Sequence, residues 1–274
     1  MSGKGVFYAL IFREVAWFRR FIGDYVTIWL LPTLYGVGVI FLPSIMGGLD
    51  FVLERMSHVF NRELTLTDAL AFSLSLSGII TIVAVNVGDI LQTLYAEFKL
   101  YGSSLMILES TSIPSYVIIT SLVRPVIMTL MSTLYLVPTL ILILRGNGIL
   151  LYLYLLTPLL ACSVILGLLS GILGSAIVFY TNVRRPWSVS NIVVPALLAG
   201  SGIYIPLKLV PFLLRFFALF TPVPYTVELI QSLLLQGLSH DFLGLLGVIT
   251  GLFTIYYVLS IWIHKTAELK VRGG

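Results

Sequence analysis

Charge is scarce in this chain. Of its 274 residues only 10% are Asp, Glu, Lys or Arg, while 58% are apolar and the mean hydropathy is +1.05. A soluble globular domain carries about a quarter charged residues, so that class is excluded and the sequence reads as a polytopic membrane protein. Cysteine is nearly absent as well. Cys162 stands alone inside an apolar run, which excludes a disulfide framework or a cysteine metal site and leaves it as a small packing residue.

The residue patterns of membrane enzymes are missing too. Asn86, Val87, Gly88 and Asp89 lack the first glycine of the Gly-x-Gly-Asp pattern of intramembrane aspartyl proteases. Ser75, Leu76, Ser77 and Gly78 put serine where a rhomboid-type Gly-x-Ser-Gly needs glycine. His58, His240 and His264 fall at span edges or loops, too scattered for a base or ligand set, and read as solvated or interfacial side chains. No His-Glu-x-x-His metal motif and no Gly-x-x-x-x-Gly-Lys-Ser/Thr loop occurs, so the chain holds no nucleotide in the P-loop manner. Mid-membrane networks of acids are absent, which leaves proton or sodium coupling without support. The net charge of +4 comes from cations flanking apolar runs and does not indicate a nucleic-acid partner.

What is there is six apolar runs, each near the roughly 20 residues that cross a hydrocarbon core of ~30 Å. They predict an all-α integral membrane fold in one domain, 1–274. Residues 4–23 read as an amphipathic helix, lying in the headgroup layer or forming an ordinary juxtamembrane extension, because Arg13, Arg19 and Arg20 interrupt every stretch that could be a signal-peptide core. Phe7, Ile11, Phe18 and Ile22 share its apolar face, where Glu14 sits awkwardly. The spans are expected at about 25–46, 69–93, 115–144, 149–180, 188–205 and 242–263, with a loop at 47–67 and a cap for the second span at Thr67 and Asp68. Asp89 reads as interfacial or bundle-facing, and Arg124 as snorkelling back to the headgroups. The uncharged stretch 149–180 would make a helix of ~48 Å, so it must tilt, bend at Pro158 or protrude.

Two apolar pieces, about 211–220 and 225–235, flank Thr221, Pro222, Val223 and Pro224. Each is too short to cross alone, which predicts re-entrant or interfacial half-helices within 206–236. With the N-terminus in the cytosol, eleven Lys and Arg fall on inner segments and five on outer ones, so both termini are expected inside.

Between the second and third spans lies a polar, hydroxyl-rich island, 97–114. Ser103 or Ser104 can cap a short helix, Leu105, Leu108 and Glu109 follow at helical spacing, and Pro114 ends it. Such a helix is a lever on which another protein can push.

The order of these parts resembles the type-2 ABC-transporter permeases over nearly the whole chain. Such permeases open with an amphipathic connecting helix and carry a coupling helix around Glu-x-x-x-x-Gly-Thr-Leu-Glu. Glu97, Gly102, Ser103, Ser104, Leu105, Leu108 and Pro114 stand at matching places. Before the last span they carry a segment like Pro-Leu-x-x-x-Pro-x-x-Leu followed by Asn-Pro-x-x-Tyr. Pro206, Leu207, Pro211, Leu214, Pro222 and Tyr225 match it, with Thr221 in place of asparagine, and Gln231 stands where an arginine often follows.

The resemblance implies a permease of an ATP-driven exporter in the cell membrane, moving a hydrophobic or amphipathic substrate such as a drug or lipid. Lipid-linked polysaccharide export is the alternative cargo, and a polytopic membrane enzyme or assembly factor the alternative class. It implies a permease homodimer or heterodimer in membrane lipid, with ATP and Mg on a separate ATPase subunit and no catalytic, cofactor or metal residues in this chain. It also implies that the first and fifth spans line the dimer seam, where Gly36, Gly38, Pro195, Gly200 and Gly202 would allow close packing. The other reading of these glycines is packing within one subunit.

Overall fold

The computed structural model describes residues 3–20, 23, 30, 34, 37–38, 41–42, 44–45, 47–60, 62–102, 107–109, 111–144, 148–181, 183, 185–204, 207–236 and 241–273. Within them the chain is helical, with no strand. Among the described residues, ten α-helices can be followed from end to end: α1 Gly3–Arg20, α2 Leu49–Phe60, α3 Leu66–Tyr95, α4 Ile113–Thr133 and α5 Leu136–Leu144. Then come α6 Gly148–Ser175, α7 Pro186–Gly200, α8 Phe212–Leu219, α9 Val223–Gln231 and α10 Asp241–Gly273. Helices α3, α6 and α9 each end in a wider turn of five residues, Ala96–Leu100, Ala176–Tyr180 and Ser232–Gln236.

Among the described residues, four helices are long and apolar enough to cross a membrane: α3, α4, α6 and α10. A fifth crossing is possible if α8 and α9, bent by 90° at Phe220 to Pro222, count as one. That bend lies between the two half-helices expected from sequence, and Pro211 and Pro222 cap their starts. The first expected span falls largely on residues outside those described. The expected fifth is shorter than foreseen, because α7 ends at Gly200 after 15 residues, where Gly202 turns the chain at φ 85°.

Other expectations change in detail. The 47–67 loop contains a helix, α2, whose Asp50 lies in the first turn and whose Val52 is buried. The cap of α3 is Thr65 rather than Thr67: its hydroxyl accepts from the Asp68 N–H at 3.2 Å, and Asp68 accepts from the Thr65 N–H at 3.1 Å. The third span breaks at Leu134 and Tyr135, because Pro138 cannot bond to the carbonyl of Leu134 and its ring crowds it. The fourth runs through Pro158 as a single helix of 32 residues including its final turn. The sixth continues as helix through the cationic tail to Gly273.

Helix α3 is the hub, packed against α4, α6 and α7, whereas α10 lies outermost and buries little beyond the face it lays on α6 and α4. Apolar side chains gain little by leaving lipid for protein, so such helices associate through close packing and polar contacts. Gly167 and Gly171 of α6 do this against α4. A Cβ on Gly167 would strike the Ser121 carbonyl and the Pro125 ring, and one on Gly171 would strike the Ser121 side chain.

Buried hydroxyls and amides supply the polar contacts. Asn86 of α3 donates to Ser163 Oγ of α6 at 2.8 Å, Thr129 of α4 donates to the same oxygen at 2.6 Å, and Ser163 donates to the Pro125 carbonyl at 2.8 Å. One serine hydroxyl thereby ties α3, α4 and α6 together at a single point.

Candidate functional site

The site is assembled where α3 leaves the apolar core. Its last residues wind into the wider turn Ala96–Leu100, closed by Tyr101 N–H donating to the Ala96 carbonyl at 2.8 Å. Gly102 then reverses the chain at φ 62°, a conformation glycine adopts without steric cost. The turn buries Phe98 edge-on against Tyr116 of α4 and Phe179 of the α6 end, ring centres 6.3 and 5.2 Å away. With Phe98 held, Glu97 is fixed beside α1.

The start of α4 is tied down from two directions. Ser112 caps it, accepting from the Ser115 N–H at 3.3 Å, and Pro114 lies in the first turn. The Ile113 N–H, otherwise without a helical partner, donates to Glu268 of α10 at 3.0 Å.

Five charged side chains from α1, α3 and α4 then meet. Arg13 Nη1 donates to Glu97 Oε1 at 2.6 Å and to the Tyr116 hydroxyl at 3.1 Å. Its Nε and Nη2 donate to Glu14 Oε1 at 3.1 and 3.0 Å. Arg124 Nη1 reaches the same Glu14 oxygen at 2.9 Å. Its other edge grips Asp89 with two bonds, from Nε to Oδ2 and from Nη2 to Oδ1, the second at 2.9 Å. Such a forked pair fixes orientation as well as distance. Burial works against the charge on Arg13, yet Tyr116, Glu97 and Glu14 around it outweigh that and raise its pKa above the ordinary arginine value.

The cluster holds three carboxylates and two guanidinium groups. Glu14 and Arg124 are buried, and Glu14 Oε2 and Glu97 Oε2 are enclosed without a hydrogen-bond partner among the described residues. Removing one member of such a cluster strands the others in a poorly solvated place, at a cost of about 3–5 kcal/mol for a buried pair. The chemistry is electrostatic linkage: α1 is held to α3 through Glu97 and to α4 through Arg124 and Tyr116. Among the described residues no three His, Cys, Asp or Glu side chains gather as a metal site.

Two sequence readings are corrected here. Arg124 does not snorkel to the headgroups; it turns inward, because Asp89 and Glu14 offer it partners inside the bundle. His264 is neither solvated nor interfacial but buried, with Ser260 Oγ at 3.0 Å and the Gly171 carbonyl at 3.4 Å. Glu14, awkward on an apolar face, was the available signal for a buried cation elsewhere in the chain. The face of α1 laid on protein carries Leu10 and Glu14, while Phe7, Tyr8, Phe12 and Val15 are exposed.

Of the expected coupling residues, Glu97 is in the cluster, Gly102 is at the turn beside it, Leu108 is half-buried in a short helical piece, 107–109, and Pro114 opens α4. Ser103, Ser104 and Leu105 lie outside the described residues. Of the expected seam, Gly36 is also outside them, Gly38 is half-buried, Pro195 is exposed and Gly202 forms the turn after α7. Gly200 faces α8 of its own chain: a Cβ there would meet the Leu214 carbonyl at 2.5 Å, so the close approach it permits is internal. In the re-entrant segment Pro206 is outside the described residues, while the Tyr225 hydroxyl donates to the Leu219 carbonyl at 3.0 Å and stitches the bend.

Compared with protein-family models, curated proteins and solved structures, the chain finds no match.

Proposed function

We propose that this chain is the membrane permease of an ATP-driven exporter of the type-2 ABC kind, working with a separate ATPase subunit and moving a hydrophobic or amphipathic substrate such as a drug or lipid. Both termini and the 97–114 segment face the cytosol of the cell membrane in this reading, and two permease chains pair. The observation that supports it most is the ion-paired junction: the turn that opens the 97–114 segment is bonded through Glu97 to α1 at Arg13. A lever is of use only if something is attached to it. Here its root is attached to α1, and α1 to α4 through Glu14 and Arg124.

The mechanism follows from that linkage. ATP closes the ATPase pair, the ATPases displace the 97–114 segments, and Glu97 carries the displacement to Arg13. Arg124, held by Asp89 and Glu14 together, makes the ends of α1, α3 and α4 move as one body. Export requires the equilibrium between inward- and outward-open forms to shift, and a partner shifts it only by its differential affinity for the two. Moving a population from mostly one form to mostly the other takes about 5.5 kcal/mol, which must come from the ATPase contact. The 90° bend between α8 and α9 would close the outer end of the path.

The test is ATP turnover and substrate efflux by the reconstituted pair of chains. Glu97→Gln is expected to leave ATP hydrolysis running while efflux falls. Equal losses of both, or no loss of either, would count against the linkage.

A further inference from the structure

Along one stripe of α10, Tyr257, Ile261, Lys265, Glu268 and Arg272 face the first turns of α4 across an open groove of about 720 Å³. Ligand sites span roughly 300–1,000 Å³, so the groove is of a size to take a molecule. Its lining changes with depth. Toward the middle of the spans the walls are apolar, from Ile118 and Ile119 of α4 and Tyr257 and Ile261 of α10. Toward the helix ends they carry the hydroxyls of Ser112 and Ser115 and the cations Lys265 and Arg272. From Tyr257 to Arg272 the stripe covers about 22 Å at ~1.5 Å per residue, comparable to a headgroup and the upper part of an acyl chain.

The charges of the rim are unevenly committed. Glu268 is used twice, Oε2 by the Ile113 N–H at 3.0 Å and Oε1 by Arg272 at 2.6 Å. Lys270 is occupied outside the groove, donating to the Phe179 carbonyl at 2.8 Å and lying over the Tyr180 ring. Lys265 is exposed and has no hydrogen-bond or ion-pair partner among the described residues. The positive end of the α4 dipole adds to its field. An uncommitted ammonium beside the Ser115 hydroxyl, above an apolar channel at the depth where a span leaves the hydrocarbon, is complementary to one class of molecule.

We propose that this groove binds an anionic phospholipid of the surrounding leaflet. Its phosphate lies at Lys265 and the Ser115 hydroxyl, which accepts from Ser112 Oγ at 2.8 Å and keeps its own proton to donate, and an acyl chain runs along Ile118, Ile119 and Ile261. The apolar depth of the groove selects a lipid over a soluble phosphate, and Lys265 selects an anionic headgroup over a zwitterionic one. The site stands whether or not the chain is a permease.

The experiment is native mass spectrometry of the purified full chain in mild detergent, titrated with palmitoyl-oleoyl phosphatidylglycerol against the phosphatidylcholine of the same chains. The wild type is expected to keep phosphatidylglycerol in preference. Lys265→Gln should lower that preference about tenfold, the effect of losing one charge-assisted contact. Ile119→Trp, which fills the apolar part and leaves the charges alone, should lower retention of both lipids. Lys208→Gln, an exposed cation far along the chain from the groove, should change nothing. The proposal is overturned if Lys265→Gln behaves like Lys208→Gln, or if glycerol phosphate displaces the lipid as well as phosphatidylglycerol does. It is overturned too if the Lys265 variant keeps its lipid preference and loses a bound protein instead.

Discussion

Arg13 of the first helix and Glu97 at the end of α3, 84 positions apart in sequence, meet at 2.6 Å. This pair and its neighbour Arg124–Glu14 tie α1 to the ends of α3 and α4. Their unequal burial separates what each contributes.

Arg124→Gln is expected to destabilise the protein by about 3–5 kcal/mol, since it strands Asp89 and buried Glu14. Arg13→Gln, whose side chain is 34% exposed, should cost less, and Arg272→Gln, at 59%, no more than about 1 kcal/mol. Thermal melts in one detergent check the order. Equal midpoints for the Arg124 and Arg272 variants would refute it.

Gly167→Ala should separate α6 from α4, because its Cβ meets the Ser121 backbone, which cannot yield as a side chain does. Overpacking of this kind costs about 1–3 kcal/mol. Gly251→Ala, with nothing within 4 Å, should stay within about 0.5 kcal/mol of wild type. Denaturation of the two variants side by side decides it.

Ser163→Ala removes one oxygen that serves Asn86, Thr129 and the Pro125 carbonyl together. Single polar contacts between membrane helices are worth about 0.6 kcal/mol, up to about 1.7. The loss at Ser163 is expected at or above the upper figure, and above that of Thr129→Ala, in the same unfolding assay.

Thr65→Ala removes the hydroxyl half of the α3 cap, leaving the backbone N–H of residue 65 to donate to Asp68, and should cost about 1 kcal/mol. Faster amide exchange confined to the first turn of α3 is the expected sign. Uniform exchange along the helix would contradict it.

Several elements were legible because one local signal dominated. The uncharged run 149–180 reads as one over-long span that tilts, bends at Pro158 or protrudes, and Pro222 between two ten-residue pieces reads as a break between half-helices. Pairing across helices was not legible. Periodicity shows which residues share a face but not what that face meets, so Asp89 reads as interfacial or bundle-facing and Arg124 as snorkelling, with nothing to make them partners. Helix α2 was hidden by Asp50, Glu54 and Arg55, whose charge suggested a loop although Val52 and Met56 repeat at helical spacing. His264 near the charged tail looked interfacial, because nothing local reveals the Gly171 carbonyl 93 positions away.

The measurement that bears most directly on the proposed function is a photo-crosslinker placed at Leu108 in cells, with the captured protein identified and the yield followed with and without ATP. The account predicts capture of a Walker-type ATPase from the cytosolic side, in a yield that changes on ATP binding. Capture only by an impermeant reagent from outside the cell, or a yield indifferent to ATP, would contradict it.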